Sequence, residues 1–240
     1  MDAARAQGLV VGMSGGVDSA VVARLSQMAA SDRVLGVILP CHSDPRDERD
    51  AMTVAAHFGL ATIKVDLADP YDALLARASV ALQTTPPRLG PETPPHDPRS
   101  RLGSANLKPR LRMATLYLVA NSRNCLVVGT GNRSELAAGY FTKYGDGGVD
   151  LLPLGSLVKS EVRGLARALG VPAPIIEKPP SAGLWQGQAD EAEMGFTYDE
   201  LEAYLAGGTS KVSSEVAARV DRLAAASEHK RSLPPVFERP

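Results

Sequence analysis

The sequence predicts an α/β fold: a doubly wound, mostly parallel sheet flanked by helices. Short apolar runs of strand length alternate with segments whose apolar residues recur at helical spacing, as crossover connections between parallel strands require. The first run, Leu9-Val10-Val11-Gly12, also passes straight into the glycine- and serine-rich stretch Ser14–Ser19. The 240 residues are 44% hydrophobic and 22% charged, enough apolar material for a core and too little bias for disorder.

The elements follow in order. Within Ala20–Ala30, the apolar residues Val21, Val22, Leu25 and Met28 keep helical spacing. Val34–Leu39 is continuously apolar, as a strand covered on both faces should be. Asp44-Pro45 has the form of an N-cap and a first helical residue, with Asp47 and Glu48 complementing the dipole and Gly59 ending the helix. Ala61–Leu67 and Asn124–Val128 are the third and fourth strands. Thr84–Pro98 carries six of the chain's 18 prolines and is expected to be a mobile loop. Further helices are expected over Ala105–Asn121, Glu161–Leu169 (closed by Gly170 and Pro172), Tyr198–Leu205 and Val212–Ala226. Pro109 lacks an N–H, so an unkinked helix there should begin no earlier than Ala105 as N-cap. With no internal repeat and no composition break, residues 1–240 are expected to form one domain.

Composition also excludes classes of function. A net charge of −1 argues against a protein that grips nucleic acid mainly by neutralising phosphates. Cys41 and Cys125 are too few for a disulfide framework and lack C-x-x-C spacing, which makes small packing roles the expectation. No apolar run approaches the roughly 20 residues needed to cross a bilayer, and no signal-peptide core opens the chain. A soluble cytoplasmic protein is the expectation.

Ser14-Gly15-Gly16-Val17-Asp18-Ser19 is the most informative stretch. Adjacent glycines let the backbone approach an anion closely, and the helix N-terminus that follows turns unpaired N–H groups toward it. Ser14 and Ser19 add hydroxyl donors. Asp18 would repel phosphate unless a cation lay between them, which points to Mg²⁺. The Gly-Lys-Ser/Thr ending of a Walker A loop is missing. The stretch resembles the pyrophosphate loop of N-type ATP pyrophosphatases, a superfamily with a Rossmann-like sheet whose members cleave ATP between the α and β phosphates and adenylate an acceptor.

Later segments choose within that superfamily. Asn106-Leu107-Lys108-Pro109-Arg110-Leu111-Arg112-Met113 concentrates cations near a helix start, where they oppose the dipole unless an anion binds. Gly129-Thr130-Gly131-Asn132-Arg133-Ser134-Glu135 follows the fourth strand, at the strand ends where open α/β sheets bind ligands, and Glu135 could meet Asp18 across a shared metal. Gly139–Pro153, Lys178–Leu184, Gln188–Glu191 and the tail Glu228-His229-Lys230-Arg231 complete the series. Together these segments resemble the NAD synthetase family from the first strand to near the end of the chain, with Ala105 and Pro109 departing from that family's glycine and alanine.

The resemblance implies ATP-dependent amidation of nicotinic acid adenine dinucleotide (deamido-NAD) through an adenylated intermediate, giving NAD, AMP and pyrophosphate. It implies that Ser14, Gly15, Gly16, Val17, Asp18 and Ser19 hold the ATP phosphates, and that Thr130, Lys159 and Ser181 also contact ATP. Asp18 and Glu135 would bind Mg²⁺. Arg112, Lys143, Asp150, His229 and Lys230 would bind deamido-NAD. Asp146, with Lys159 and Asp18, would be catalytic, either orienting ammonia or taking a proton from ammonium; the alternative is that Asp146 caps the Gly145–Gly148 turn. Because the first strand begins near the chain's start, the amidase of glutamine-dependent relatives is not expected here, and free ammonia is the expected nitrogen source unless a separate amidase subunit delivers it. A homodimer is implied by the resemblance alone. The competing readings are another adenylating ligase of the superfamily and an inactive nucleotide sensor.

Overall fold

The computed structural model describes residues 1–84, 98–185 and 187–237, so most of the proline-rich expectation over 84–98 lies outside the described residues. Four parallel strands, β1 (Gly8–Gly12), β2 (Val34–Ile38), β3 (Thr62–Lys64) and β4 (Cys125–Val128), lie in the order β3-β2-β1-β4. Register pairs Val10 with Leu35 on one side of β1 and with Val127 on the other. Val10, Val11 and Val127 are fully buried, as continuous apolar strands covered by helices on both faces should be. The chain winds outward through β2 and β3, then returns to place β4 on the opposite side of β1. That reversal opens a crevice at the carboxyl ends of β1 and β4.

The helices are α1 (Val17–Ala30), α2 (Pro45–Phe58), α3 (Ala68–Leu82), α4 (Pro98–Ser122), α5 (Arg133–Ala138), α6 (Lys159–Ala168), α7 (Ala173–Glu177), α8 (Asp190–Met194), α9 (Tyr198–Gly207), α10 (Ser214–Ala226) and α11 (Glu228–Arg231). On one face of the sheet, Val21 and Val22 of α1, Val54 of α2, Val162 of α6 and Ile175 of α7 form a single apolar cluster. At about 1.5–3 kcal/mol for each large side chain removed from water, this face is a main source of stability. On the other face, Leu107, Leu111 and Leu116 of α4 and Tyr71 of α3 pack on Val10, Val37 and Val127. A third cluster, with Met194, Phe196, Tyr198, Leu201 and Val220, seats the C-terminal helices beside α5. No helix among the described residues is long and apolar enough to cross a membrane.

Asp44 caps α2 by accepting from the Arg46 N–H at 2.8 Å, and Gly59 ends it at φ 62°, as the sequence predicts. Two expectations need correction. The third strand is only Thr62–Lys64 rather than Ala61–Leu67; it pairs on one side alone, and its last two residues are exposed. The helix expected to start at Ala105 begins at Pro98, with Pro109 inside it. An interior proline costs about 3 kcal/mol in an isolated helix. Here the buried Ala105 and the packed Leu107 and Leu111 hold the segment helical on both sides of it. Pro109 is also used: a Cβ built on Gly145 would lie 3.0 Å from the Pro109 Cβ, so the ring abuts the Gly145 turn.

Candidate active site

The crevice holds a cleft of about 680 Å³ lined by the loops after β1, β2 and β4, by α4, and by the segment 178–185. Its floor begins with the loop after β1. Ser19 Oγ donates to the Gly16 carbonyl at 2.9 Å and accepts from the Ser14 N–H at 3.3 Å, while Ser14 Oγ accepts from the Gly16 N–H at 3.3 Å. Gly16 is the N-cap of α1 and offers no side chain for capping, so the first N–H groups of α1 stay available at the cleft. Gly15 has φ 77°, and a Cβ there would stand 2.3 Å from the Asp47 carbonyl oxygen of α2. Only glycine meets both demands.

Facing this loop is a buried charge cluster. Lys159, at the start of α6, donates to Asp18 Oδ2 at 2.5 Å and to Glu135 Oε1 at 3.5 Å. Asn132 joins the same cluster: its amide donates to Asp18 Oδ1 at 3.0 Å, and it forms a reciprocal capping box with Glu135 at the start of α5. Burial drives the Glu135 pKa up to about 8, with Lys159 opposing the rise and Asp18 adding to it. Burial works against the Lys159 charge too, but Asp18 and Glu135 outweigh it, so its pKa is raised and it stays an ammonium. The Tyr198 ring lies 5.4 Å from that ammonium, and the Tyr198 hydroxyl donates to Asp190 at 3.1 Å.

On the other side of the cleft, Arg112 of α4 donates to the Leu39 carbonyl and to Ser43 Oγ, each at 3.1 Å. No carboxylate among the described residues lies within ion-pair distance of it. Burial lowers its pKa, so an anion entering here would meet a cation that lacks compensation. Lys230 of α11 donates to the carbonyls of Gly139 and Phe141, both at 2.8 Å, and also faces the cleft. Asp146 accepts from the Thr142 N–H at 2.8 Å and lines the same wall. The residue is exposed on its cleft side, with protein packed around the rest of it. Burial raises its pKa, while the Thr142 N–H and Lys230 oppose the rise.

The structure therefore brings Ser14, Gly16, Val17, Asp18, Thr130, Glu135, Lys159, Ser181, Arg112, Asp146 and Lys230 to the wall of one cleft. Gly15 and Ser19 stand behind the wall as supports. Lys143, Asp150 and His229 are not on it. Lys143 donates to the His229 carbonyl, and Asp150 accepts from the Tyr117 hydroxyl at 2.9 Å and the Val127 N–H at 2.8 Å, which fixes the end of β4. Sequence reasoning missed Asn132, Tyr198 and the pairing of Lys178 with Asp47 and Asp50. Only Asn132 left a signal, since Asn-x-x-Glu after a strand is a capping-box pattern.

Residues 1–234 match the model of the NAD synthase family. The chain belongs to that family. Among curated NAD synthase relatives, the NH(3)-dependent NAD(+) synthetase of Carboxydothermus hydrogenoformans is 52% identical over 97% of this chain and 90% of its own length. That of Archaeoglobus fulgidus is 45% identical over 95% and 87%. A solved NMN synthetase from Francisella tularensis superposes with a TM-score of 0.86 at 37% identity, covering 97% of this chain and 90% of that one. The NAD+ synthetase from Burkholderia pseudomallei gives 0.74 at 33%, covering 97% and 85%.

Proposed function

We propose that this chain amidates deamido-NAD with ammonia at the expense of ATP, releasing NAD, AMP and pyrophosphate. The observation that carries the reading is one cleft lined both by a glycine- and serine-rich loop with its charged cluster and by the uncompensated Arg112. Its membership in the NAD synthase family and its NH(3)-dependent relatives support the same chemistry.

A carboxylate is a poor acyl electrophile, because ammonia would have to expel oxide. One carboxylate oxygen of the nicotinate instead attacks the α-phosphorus of ATP, and the bond to the β-phosphate oxygen breaks, freeing pyrophosphate. Ammonia then attacks the acyl carbon of the mixed anhydride, loses a proton, and displaces AMP. Both reactants in the first step are anions, so the protein must orient them and suppress their repulsion. The main-chain N–H groups at Gly16 and the start of α1 receive the departing diphosphate, with Ser14 and Ser19 shaping the loop. Thr130, Lys159 and Ser181 contact ATP. Arg112 and Lys230 draw in the nicotinate nucleotide; Lys143, Asp150 and His229 serve it from beyond the cleft lining. Asp146 holds ammonium and accepts its proton, a role consistent with its raised pKa.

A divalent cation fits the charged cluster. Asp18 and Glu135 are hard oxygen donors beside the phosphate loop, and the pull of Glu135 toward its neutral form means that Lys159 alone undercompensates them. Among the described residues no group of three or more metal-ligating side chains occurs, so protein would supply few ligands and phosphate and water the rest, the habit of Mg²⁺. When bound, Mg²⁺ would neutralise charge on the diphosphate. The working unit is one domain acting in the cytoplasm as a homodimer.

The test is stepwise. ATP and deamido-NAD without ammonia should release pyrophosphate and AMP-activated acid, and adding ammonia should then give NAD. Release of ADP and orthophosphate would overturn the reading. A second reading, amidation of nicotinate mononucleotide, is favoured by the higher TM-score of the Francisella NMN synthetase, 0.86 against 0.74. Comparing kcat/KM for the two acids separates them.

A further inference from the structure

Lys178 follows α7 and is only partly exposed. Its ammonium donates to Asp47 Oδ1 at 2.8 Å and Asp50 Oδ2 at 2.5 Å, both on α2, and approaches the Gly15 carbonyl oxygen at 3.4 Å. An ammonium has three N–H donors, and these three acceptors use all of them. In a trans peptide the carbonyl and the following N–H point in opposite directions. Drawing the Gly15 carbonyl toward Lys178 therefore turns the N–H of Gly16 the other way, where it meets Ser14 Oγ at 3.3 Å, a long contact that a phosphate oxygen can replace. Ser14 and Gly16 line the cleft, whereas Gly15 does not. A peptide between two glycines has little steric reason to keep one orientation, so an anchor on its carbonyl adds to the long Ser14 contact on its N–H.

We infer that Lys178 is a positioning residue: braced by Asp47 and Asp50, it holds the Gly15–Gly16 peptide with its N–H turned into the cleft for the diphosphate of ATP. This rests on the phosphate-loop reading above and assigns Lys178 a part in it. The contact to Gly15 is long for a hydrogen bond, but a full charge acts on the carbonyl dipole at that distance. Lys178 and Asp47 both line the cleft, and the two aspartates engage the Lys178 ammonium so that it is not free to act as a phosphate ligand. They also lie against the loop, since the Asp47 carbonyl stands where a Gly15 side chain would be.

The test uses the full chain labelled with [1-¹³C,¹⁵N]glycine, which isolates amides at Gly-Gly junctions, titrated with Mg·ATP alone. The Gly16 amide should shift on binding. In Lys178→Met that shift should need at least about tenfold more ATP, the KM for ATP should rise similarly with little change in the KM for the nicotinate nucleotide, and Lys178→Arg should restore part of both. Asp50→Asn, a milder change, should also weaken ATP binding, because it slackens the brace. Were Lys178 instead a direct phosphate ligand, Asp50→Asn would free it and strengthen binding, which would overturn the inference. An unchanged Gly16 response and ATP KM in Lys178→Met would overturn it too while leaving the phosphate loop standing. A wild-type Gly16 amide indifferent to saturating ATP would sink the loop reading itself.

Discussion

Asp146 and Glu135 are both carboxylates whose pKa burial raises, yet their neighbours give them different work. Asp146 keeps one oxygen on the Thr142 N–H, so it caps a turn and still faces the cleft. The turn-capping role and the ammonia role are thus compatible. Asp146→Asn retains the acceptor for Thr142 but cannot take a proton. It should slow NAD formation by about 10²-fold or more and pyrophosphate release far less, measured by quenching single turnovers. Equal losses in both steps would refute the proton-transfer role. Glu135 makes a stability prediction. With its folded pKa near 8 against 4.5 for an ordinary glutamate, the folded state keeps a proton that the unfolded chain releases between those values. Its contribution to stability therefore falls as pH rises across that window. Glu135→Gln mimics the protonated form, so without ATP and metal its Tm should gain on wild type from about pH 5 to about pH 8, by roughly 2–4 °C per kcal/mol. A constant difference in scanning calorimetry would contradict the assignment.

The loop after β1 and helix α4 make opposite points at the scale of elements. The loop's internal bonds follow from its own sequence of two glycines, flanking serines and a helix start, with Lys178 the one anchor that comes from elsewhere in the chain. Gly15→Ala should therefore fail on two counts, a left-handed φ of 77° and a Cβ 2.3 Å from the Asp47 carbonyl oxygen. The expected result is loss of ATP binding by calorimetric titration with a lowered Tm; ATP affinity within twofold of wild type would show that the loop can relax. In α4, local chemistry was misleading. Pro109 marks a helix start when judged by its missing N–H, and the burial of residues on both sides overrides that signal. The ring's contact with the Gly145 turn gives a reason for proline there that no local rule contains.

Among the described residues, α3 and α4 carry the exposed apolar side chains Leu74, Val80, Leu82, Leu102 and Leu118, the last 70% exposed, and the tail carries Leu233, Val236 and Phe237. A second copy covering these helices would bury them, and sedimentation should then give twice the chain mass; a fully active monomer would refute the homodimer. Beyond the charged site residues that the family resemblance implied, of which Lys143, Asp150 and His229 do not line the cleft, the sequence alone determined the parallel α/β architecture, the glycine- and serine-rich turn after β1 and the capping of α2. These are fixed by periodicity, by glycine and proline, and by spacing over a few residues, all local quantities. Tertiary structure alone decided that Lys159 lies between Asp18 and Glu135, 141 and 24 residues away in the chain. It also decided that Lys178 braces a loop 163 residues upstream, and that Asp150 secures β4 instead of lining the cleft. Such pairings depend on where the sheet reverses its strand order and brings distant segments together. Desolvation then sets which charges persist, and burial is a property of the packed whole.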